Sequence, residues 1–172
     1  MLLHNLRQGQ EIWTMTVIEI KTEIESEIHR CFDLARDIDF HKLSAQATEE
    51  KAVAGRTEGL CELGDTITWE ARHFGIRQRL TVKITGFNRP YYFEDRMTKG
   101  AFQSMRHEHH FQEMDGKTLM TDRFEYEVPF GILGRLFDWI ILKQHMTEFL
   151  KTRNQLIKKT AEKTGQQRGI QE

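Results

Sequence analysis

Histidine and aspartate recur at alternate positions in the second half of the chain. His107 and His109 lie two residues apart, and Asp95 and Asp122 lie in the neighbouring runs of alternating polarity. Because side chains two residues apart on a strand point to the same face of a sheet, all four groups share one face if these runs form adjacent strands. Imidazoles and carboxylates together can form a hydrogen-bonded network, hold the polar end of a ligand, bind a metal or transfer protons.

The sequence leaves four interpretations of this cluster open. Buried imidazoles and carboxylates are costly unless paired, so the first is a structural network in a packed core. The second is a polar anchor at one end of an apolar pocket. The third is a divalent metal site, in which Asp95 or Asp122 completes a shell begun by His107 and His109; since strand alternation alone produces this spacing, we expect no metal or other cofactor. The fourth is general acid and base catalysis of a dehydration or cyclisation.

Hydrophobic periodicity predicts the elements that position these groups. Alternation over Met15–Ile24 predicts a first strand, followed by two short helices capped by Ser26 and Asp39. Six more strands are predicted at 50–57, 66–74, 77–86, 91–98, 102–113 and 117–128, and one long helix with an apolar stripe is predicted over about Leu133–Lys159. This order predicts an α+β domain in which the final helix covers one face of an antiparallel sheet.

A curved sheet that one helix covers can leave a gap, and that gap would be a ligand cavity. Alternation assigns one face of each strand to it, and the helical stripe supplies the opposite wall. The residues predicted to line the cavity and bind its ligand are Trp69, His73, Phe93, Asp95, Met97, His107, His109, Phe111, Asp122, Phe124 and Tyr126 on the strands, with Trp139 and Met146 on the helix. We assign no catalytic residue.

Composition excludes several classes of function. The 172 residues suffice for one domain, and 25 Lys and Arg against 26 Asp and Glu give a net charge of −1, so nucleic acid is not an expected partner. The most apolar stretch, Ile132–Leu142, is short and contains Arg135 and Asp138, so stable membrane insertion is not expected. Cys31 and Cys61 show no disulfide framework or zinc spacing, which indicates a reduced, cytoplasmic setting.

The pattern divides the chain into three parts. Met1–Thr14 shows no cap or periodicity, so we expect an extension that the domain does not need; one interpretation is that translation starts at Met15. The domain itself is expected over 15–160. The remaining 161–172 form a polar tail.

Several short motifs, in their order and spacing over roughly Thr16 to Ile157, resemble one known superfamily. They are Ala54-Gly55 with Gly59-Leu60, Leu63 to Trp69, Ala71 to Gly75, Gly100-Ala101-Phe102, His107-Glu108-His109, Thr121-Asp122 and Pro129-Phe130-Gly131. The chain resembles the START-like helix-grip superfamily, also called SRPBCC, in its polyketide cyclase/dehydrase and lipid-transport branch. The resemblance implies a seven-stranded curved antiparallel sheet that grips a long C-terminal helix, with two short helices after the first strand and a tunnel for hydrophobic molecules.

The superfamily includes lipid carriers, hormone receptors, aromatase/cyclases and chaperone activators, so the resemblance does not specify a reaction. Our leading hypothesis is that the protein binds a hydrophobic or aromatic small molecule or a lipid without converting it. The first alternative is a cyclase/dehydrase-like enzyme that uses Asp95, His107, His109 or Asp122. The second is a module that recruits a protein partner, as a chaperone activator does, for which a large exposed apolar patch is expected.

Overall fold

The computed structural model describes residues 15–168, apart from the side chains of Ala47 and 164–168. The predictions for Met1–Thr14 and for the last four residues therefore lie outside the described residues. No helix within the described part is long and apolar enough to cross a membrane.

Across the part of the chain that the structure describes, seven strands form one antiparallel sheet, which confirms the prediction. They are β1 (Thr16–Ile24), β2 (Lys51–Gly55), β3 (Thr66–His73), β4 (Ile76–Asn88), β5 (Tyr92–Lys99), β6 (Ser104–Met114) and β7 (Lys117–Glu127). The order across the sheet is β1-β7-β6-β5-β4-β3-β2. Strands β2 to β7 therefore lie in chain order, each beside the next, and β1 pairs with β7 at the far edge. The β6–β7 connection is Asp115-Gly116, and its positive φ angles of 46° and 80° are those of a two-residue hairpin turn.

Two short helices, α1 (Ile28–Ala35) and α2 (Ile38–Ser44), follow β1, as predicted. Their predicted caps are wrong by one or two residues. The residue before α1 is Glu27, which makes no side-chain cap, and Ser26 instead accepts a hydrogen bond from Thr118 at its backbone oxygen. The carboxylate of Asp37, not that of Asp39, accepts the first backbone N–H groups of α2, because the chain leaves α1 and enters α2 with only two residues between them.

The long C-terminal helix forms as predicted but is built in three segments. It begins as α3 (Gly131–Phe137), passes through a π-helical turn at Asp138–Leu142 and continues as α4 (Lys143–Arg168). Helix α4 extends beyond Lys159 and still buries Ala161 completely, so part of the predicted polar tail packs on the domain.

The π turn changes which residues of the helix face the sheet. The predicted stripe assumed an uninterrupted 3.6-residue period and placed Trp139 against the sheet, but a π turn takes in an additional residue and so shifts the phase of the helix. In the structure Asp138 is buried and Trp139 is 77% exposed. The prediction that Trp139 forms the wall of the cavity is therefore wrong, and the covering side chains come from Leu142 onwards.

Two apolar clusters hold the helix on the sheet. One lies beneath the middle of α4 and includes Trp69, Val82, Phe124 and Leu150. The other lies at the α1 end, where the ring of Phe32 meets three other phenylalanine rings edge-on at centroid distances of 5.4–5.5 Å. Edge-on aromatic contacts of this kind fill space closely, so this end of the sheet is solid.

The different burial of two helix residues gives a stability prediction. Ile157→Ala removes a side chain that is 0% exposed and should lower the free energy of unfolding by about 2–5 kcal/mol. Trp139→Ala removes a larger side chain that touches little, so it should cost less than about 0.5 kcal/mol. Urea denaturation of both variants measures the difference; a Trp139→Ala variant as unstable as Ile157→Ala would contradict the helix orientation described above.

Candidate functional site

A cavity of about 510 Å³ lies between the sheet and the final helix. Its volume is within the range of natural small-molecule sites. Strands β3 and β4 supply one apolar wall, helix α4 supplies the other, and the connection from α1 to α2, at residues 35–38, closes one end. The apolar lining includes Ile67, Trp69, Ala71, Leu80, Val82, Ile84, Phe93, Met105, Phe124, Leu142, Met146, Phe149 and Leu150.

Eight of the thirteen predicted site residues line this cavity: Trp69, His73, Phe93, Asp95, His107, His109, Phe124 and Met146. The other five, Met97, Phe111, Asp122, Tyr126 and Trp139, do not. Strand alternation placed all but Trp139 on the correct side of the sheet, yet alternation says nothing of what covers each position. That depends on how the helices lie across the sheet.

Each of these five residues has a different neighbour instead of the cavity. Phe111 packs against the ring of Phe32 in the solid α1 end, and Met97 packs half-buried on the central cluster. The hydroxyl of Tyr126 donates a hydrogen bond to the buried carboxylate of Asp138, which fills the space above it. Asp122 is completely buried behind the cavity wall. Trp139 lies on the outer surface.

The cluster of histidines and aspartates forms at the back of the cavity, as the strand register requires. Asp95 pairs across the strands with His107, and His109 pairs with Asp122. The His109 ring lies between two carboxylates: its Nδ1 contacts Asp122, and its Nε2 is 3.6 Å from Oδ1 of Asp95. His107 Nε2 lies 3.3 Å from Asp122. Asp122 is therefore the common partner of both imidazoles.

Burial and these neighbours shift the pKa values in opposite directions. Burial, reinforced by the charge of His109, lowers the pKa of His107 to about 4. Burial also opposes charge on His109, but the adjacent Asp122 carboxylate outweighs it and raises the pKa of His109. Burial opposes charge on Asp122, yet His109 and His107 hold its pKa well below the ordinary value. The geometry thus favours an imidazolium at His109 and a neutral imidazole at His107.

Two residues of α4 complete the cluster, and sequence reasoning missed both. Asn154 donates a hydrogen bond from Nδ2 to Oδ2 of Asp122 at 2.5 Å. Arg153 donates from Nη2 to the backbone oxygen of Ala35 at 2.6 Å and places Nη1 4.0 Å from Asp122. A signal was available, because Arg153 and Asn154 follow Leu150 by three and four residues and precede Ile157 by four and three, which are core positions of a helix.

A second group of histidines lies nearer the opening of the cavity. Nδ1 of His73, on β3, is 3.0 Å from Nε2 of His145, on α4, so a hydrogen bond joins the sheet to the helix there. Burial lowers the pKa of His73. His41 of α2 stacks on the ring of Trp69 at a centroid distance of 4.2 Å. His145 was not anticipated, because it lies off the predicted apolar stripe.

The surroundings of the cluster bear on whether it holds a metal. Asp95, His107 and His109 bring one potential ligand atom each to within 4.8 Å of one another. A carboxylate and two imidazoles could bind a transition metal at that spacing. However, the charges of Asp95 and Asp122 are already offset by His109 and the nearby Arg153 guanidinium, so a cation would enter a site that contains two positive groups.

No protein-family model matches the sequence, and no curated protein matches it. Solved structures match well. A START superfamily protein from Mycobacterium smegmatis aligns with a TM-score of 0.66 and 10% identity over 86% of this chain and 98% of that one. A protein from Thermus thermophilus aligns with a TM-score of 0.65 and 18% identity over 83% and 97%. A major latex-like protein from Panax ginseng gives 0.63 and 13% over 86% and 97%.

The chain has the START-like helix-grip fold. Because the identities are low, these likenesses describe the backbone and do not transfer site residues.

We expect the START-like domain to be isolated without a bound metal. The reason is the charge balance of the cluster, in which Arg153 and His109 occupy the place of a counter-cation. Elemental analysis of protein purified without chelators or a metal-affinity tag measures this. A stoichiometric transition metal that disappears on changing His107 and His109 to Ala would contradict the prediction.

The lowered pKa of His107 predicts how stability depends on pH. The unfolded chain binds a proton at this histidine below pH 6.5, but the folded protein binds it only below about pH 4. Lowering the pH through this window therefore favours unfolding, by up to about 3 kcal/mol. His109 opposes this slope only near pH 6.5, where its raised pKa keeps it protonated in the folded protein while the unfolded chain has released part of that proton; at lower pH both states carry it.

His107→Gln should flatten this dependence, and His110→Gln should not. His110 lies on the same strand with its side chain 49% exposed on the opposite face, which makes it a matched control. Urea unfolding of both variants and the wild type at pH 6.5 and 4.5 measures the slope. If His107→Gln lost stability on acidification as steeply as the wild type, the buried neutral imidazole would not be its cause.

Proposed function

We propose that the protein binds a hydrophobic or aromatic small molecule or a lipid in the cavity and does not convert it. The observation that supports this most is the distribution of polarity in a cavity of about 510 Å³: its walls are mostly apolar, and Asp95, His107 and His109 lie together on one side of it. Such a site gains affinity from burial of an apolar body and orientation from a few polar contacts.

The polar end of the ligand is proposed to lie against Asp95. Of the two aspartates, Asp95 lines the cavity and is only partly buried, whereas Asp122 is completely enclosed by its partners. His109 lies between them, so Asp122 fixes the ring and Asp95 meets the ligand. A hydroxyl or an amine on the ligand is the natural partner of this carboxylate, because an ionised carboxylate only accepts hydrogen bonds.

The protonation states favour binding over catalysis. A general base works best with a pKa near the working pH, and the pKa of His107 lies near 4. His109 is held by carboxylates on both of its nitrogens. Both cysteines are buried, and burial raises the pKa of Cys61 to about 12, so neither is a ready nucleophile. A cyclase/dehydrase-like activity that uses the cluster of Asp95, His107, His109 and Asp122 remains the alternative.

We further propose that the protein works in the cytoplasm. Cys31 and Cys61 are both free and buried, each in a different part of the core. A reducing compartment keeps such thiols in this state.

Blocking the cavity tests the binding function. Leu80→Trp adds bulk to a half-buried residue of the cavity wall, and Leu119→Trp adds the same bulk to a half-buried residue on the outer face of β7. Leu80→Trp should lower the affinity for a fluorescent fatty acid and for a flavonoid by about tenfold or more, since either ligand loses its space. Leu119→Trp should bind like the wild type. Fluorescence titration and melting temperature are measured for each.

Asp95→Asn tests the orientation. It should weaken binding of a long-chain alcohol or amine more than that of an alkane-like probe of equal length, by a ratio of about five to ten. If neither probe class binds the wild-type protein, the binding proposal fails. If both bind and Asp95→Asn affects them equally, the ligand lies in the cavity with its polar end elsewhere.

A further inference from the structure

Large apolar side chains face outwards at the opening of the cavity and along the adjoining start of the final helix. The mouth surface, as we call it, consists of Phe74 and Ile76 at the β3–β4 turn and Phe130, Ile132, Leu133 and Trp139 of the final helix. Their exposed fractions run from 47% at Phe74 to 84% at Phe130. The turn and the helix touch, because the rings of Phe74 and Phe137 meet with centroids 5.6 Å apart. Phe74, Ile76 and Phe130 also line the cavity itself.

The exposed apolar residues of this protein are concentrated in one segment of the chain. Half of the large hydrophobic side chains that are exposed among the described residues fall within 130–141. Helix α3 buries none of its own side chains. Eight exposed large apolar side chains within the twelve residues 130–141 of a small domain mark a place where something binds. The backbone also holds Phe130 in the left-handed region at φ 71°, a conformation that is costly for a bulky residue.

The charges around the mouth surface are mainly positive. The segments 70–79 and 129–145 contain two carboxylates, Glu70 and Asp138, and five basic side chains, which are Arg72, Arg77, Arg79, Arg135 and Lys143. The excess of three positive charges contrasts with −1 for the whole chain. Asp138 is buried beneath the helix, and Glu70 is shared between Arg77 and Arg79 at 3.4 and 2.9 Å. The outward field at the mouth is therefore cationic.

We propose that the mouth surface docks on a membrane surface that contains anionic phospholipids. Aromatic and aliphatic side chains enter the interfacial region while arginines and lysines at the rim contact lipid phosphates, which is the chemistry of peripheral membrane binding. Helix α3 is seven residues long and exposed, so it is too short to span a bilayer and would lie along the membrane surface. A second reason for choosing a membrane is that the mouth surface adjoins the cavity, because Phe74, Ile76 and Phe130 belong to both.

Docking of this kind gives the cavity direct access to the membrane. An apolar ligand then passes between lipid and cavity without crossing water. This consequence rests on the proposed function, whereas the docking itself does not. The two are therefore measured separately, vesicle binding with no added ligand and ligand titration with no vesicles.

Vesicle flotation of the full chain tests the proposal. The probes are phosphatidylcholine vesicles and phosphatidylcholine vesicles with about one third phosphatidylglycerol, an anionic lipid. Wild type should partition onto the anionic vesicles at least tenfold more strongly, and raised salt should reduce that preference. Leu133→Ser combined with Trp139→Ala should lower partitioning about tenfold or more. Leu63→Ser, a 62% exposed leucine outside the mouth surface, should leave it unchanged.

The basic rim has its own variant. Arg72→Gln combined with Lys143→Gln should reduce binding to anionic vesicles several-fold and leave the weaker binding to phosphatidylcholine alone unchanged. These residues are exposed, so the melting temperatures of all the variants should match the wild type.

Three results would overturn the proposal. One is a wild type that floats with neither vesicle type. The second is a dimer in sedimentation analysis that dissociates in the Leu133→Ser, Trp139→Ala variant, because the surface would then be an interface between two copies. The third is vesicle binding that arises only when Met1–Thr14 are deleted, because that segment would then be what covers the surface.

Discussion

The carboxylate of Asp122 is the group on which the interior depends. It is completely buried, and it meets His109 and His107 of β6, Asn154 of α4 and, at 4.0 Å, the guanidinium of Arg153. An ionised carboxylate without such partners would be several kcal/mol too costly to bury. The partners come from both layers of the fold. Asp122 therefore ties α4 to the sheet directly beside the cavity, which His107, His109 and Arg153 also line.

The same arrangement decides which parts of the inner sheet face are filled and which stay open. At one end, α1 inserts Phe32 among Phe87, Phe93 and Phe111, so the space is packed with aromatic rings. At the other end, Asp138 of the π turn accepts a hydrogen bond from the hydroxyl of Tyr126, so the helix packs directly on the sheet there. The cavity is what remains between these two contacts. Its polar back wall is the accessible side of the Asp122 cluster, so one network both supports the fold and gives the cavity its polarity.

Much of the architecture could be predicted because it follows from short-range patterns. Alternating polarity located all seven strands, and a turn such as Asp115-Gly116 set the register that pairs His109 with Asp122. Eight of the thirteen site residues line the cavity for the same reason. What could not be predicted depends on the third dimension: nothing in the period of β6 shows that Phe32 covers Phe111, and the π turn that exposes Trp139 has no marker in a stripe read at 3.6 residues per turn. Arg153 and Asn154 were visible as polar residues at core positions, but their partner Asp122 lies 31 and 32 residues earlier.

The π turn also explains why two features that the sequence presents as alternatives occur together. An apolar cavity indicates a small-molecule binder, and an exposed apolar surface indicates a docking module. The sheet-facing position just after α3 is taken by Asp138, whose carboxylate accepts a hydrogen bond from the Tyr126 hydroxyl, and Trp139 beside it is exposed. The π turn places Asp138 inside and turns the apolar residues of α3 outwards. The buried carboxylate and the exposed apolar side chains thus meet at one local irregularity of the helix, next to the cavity.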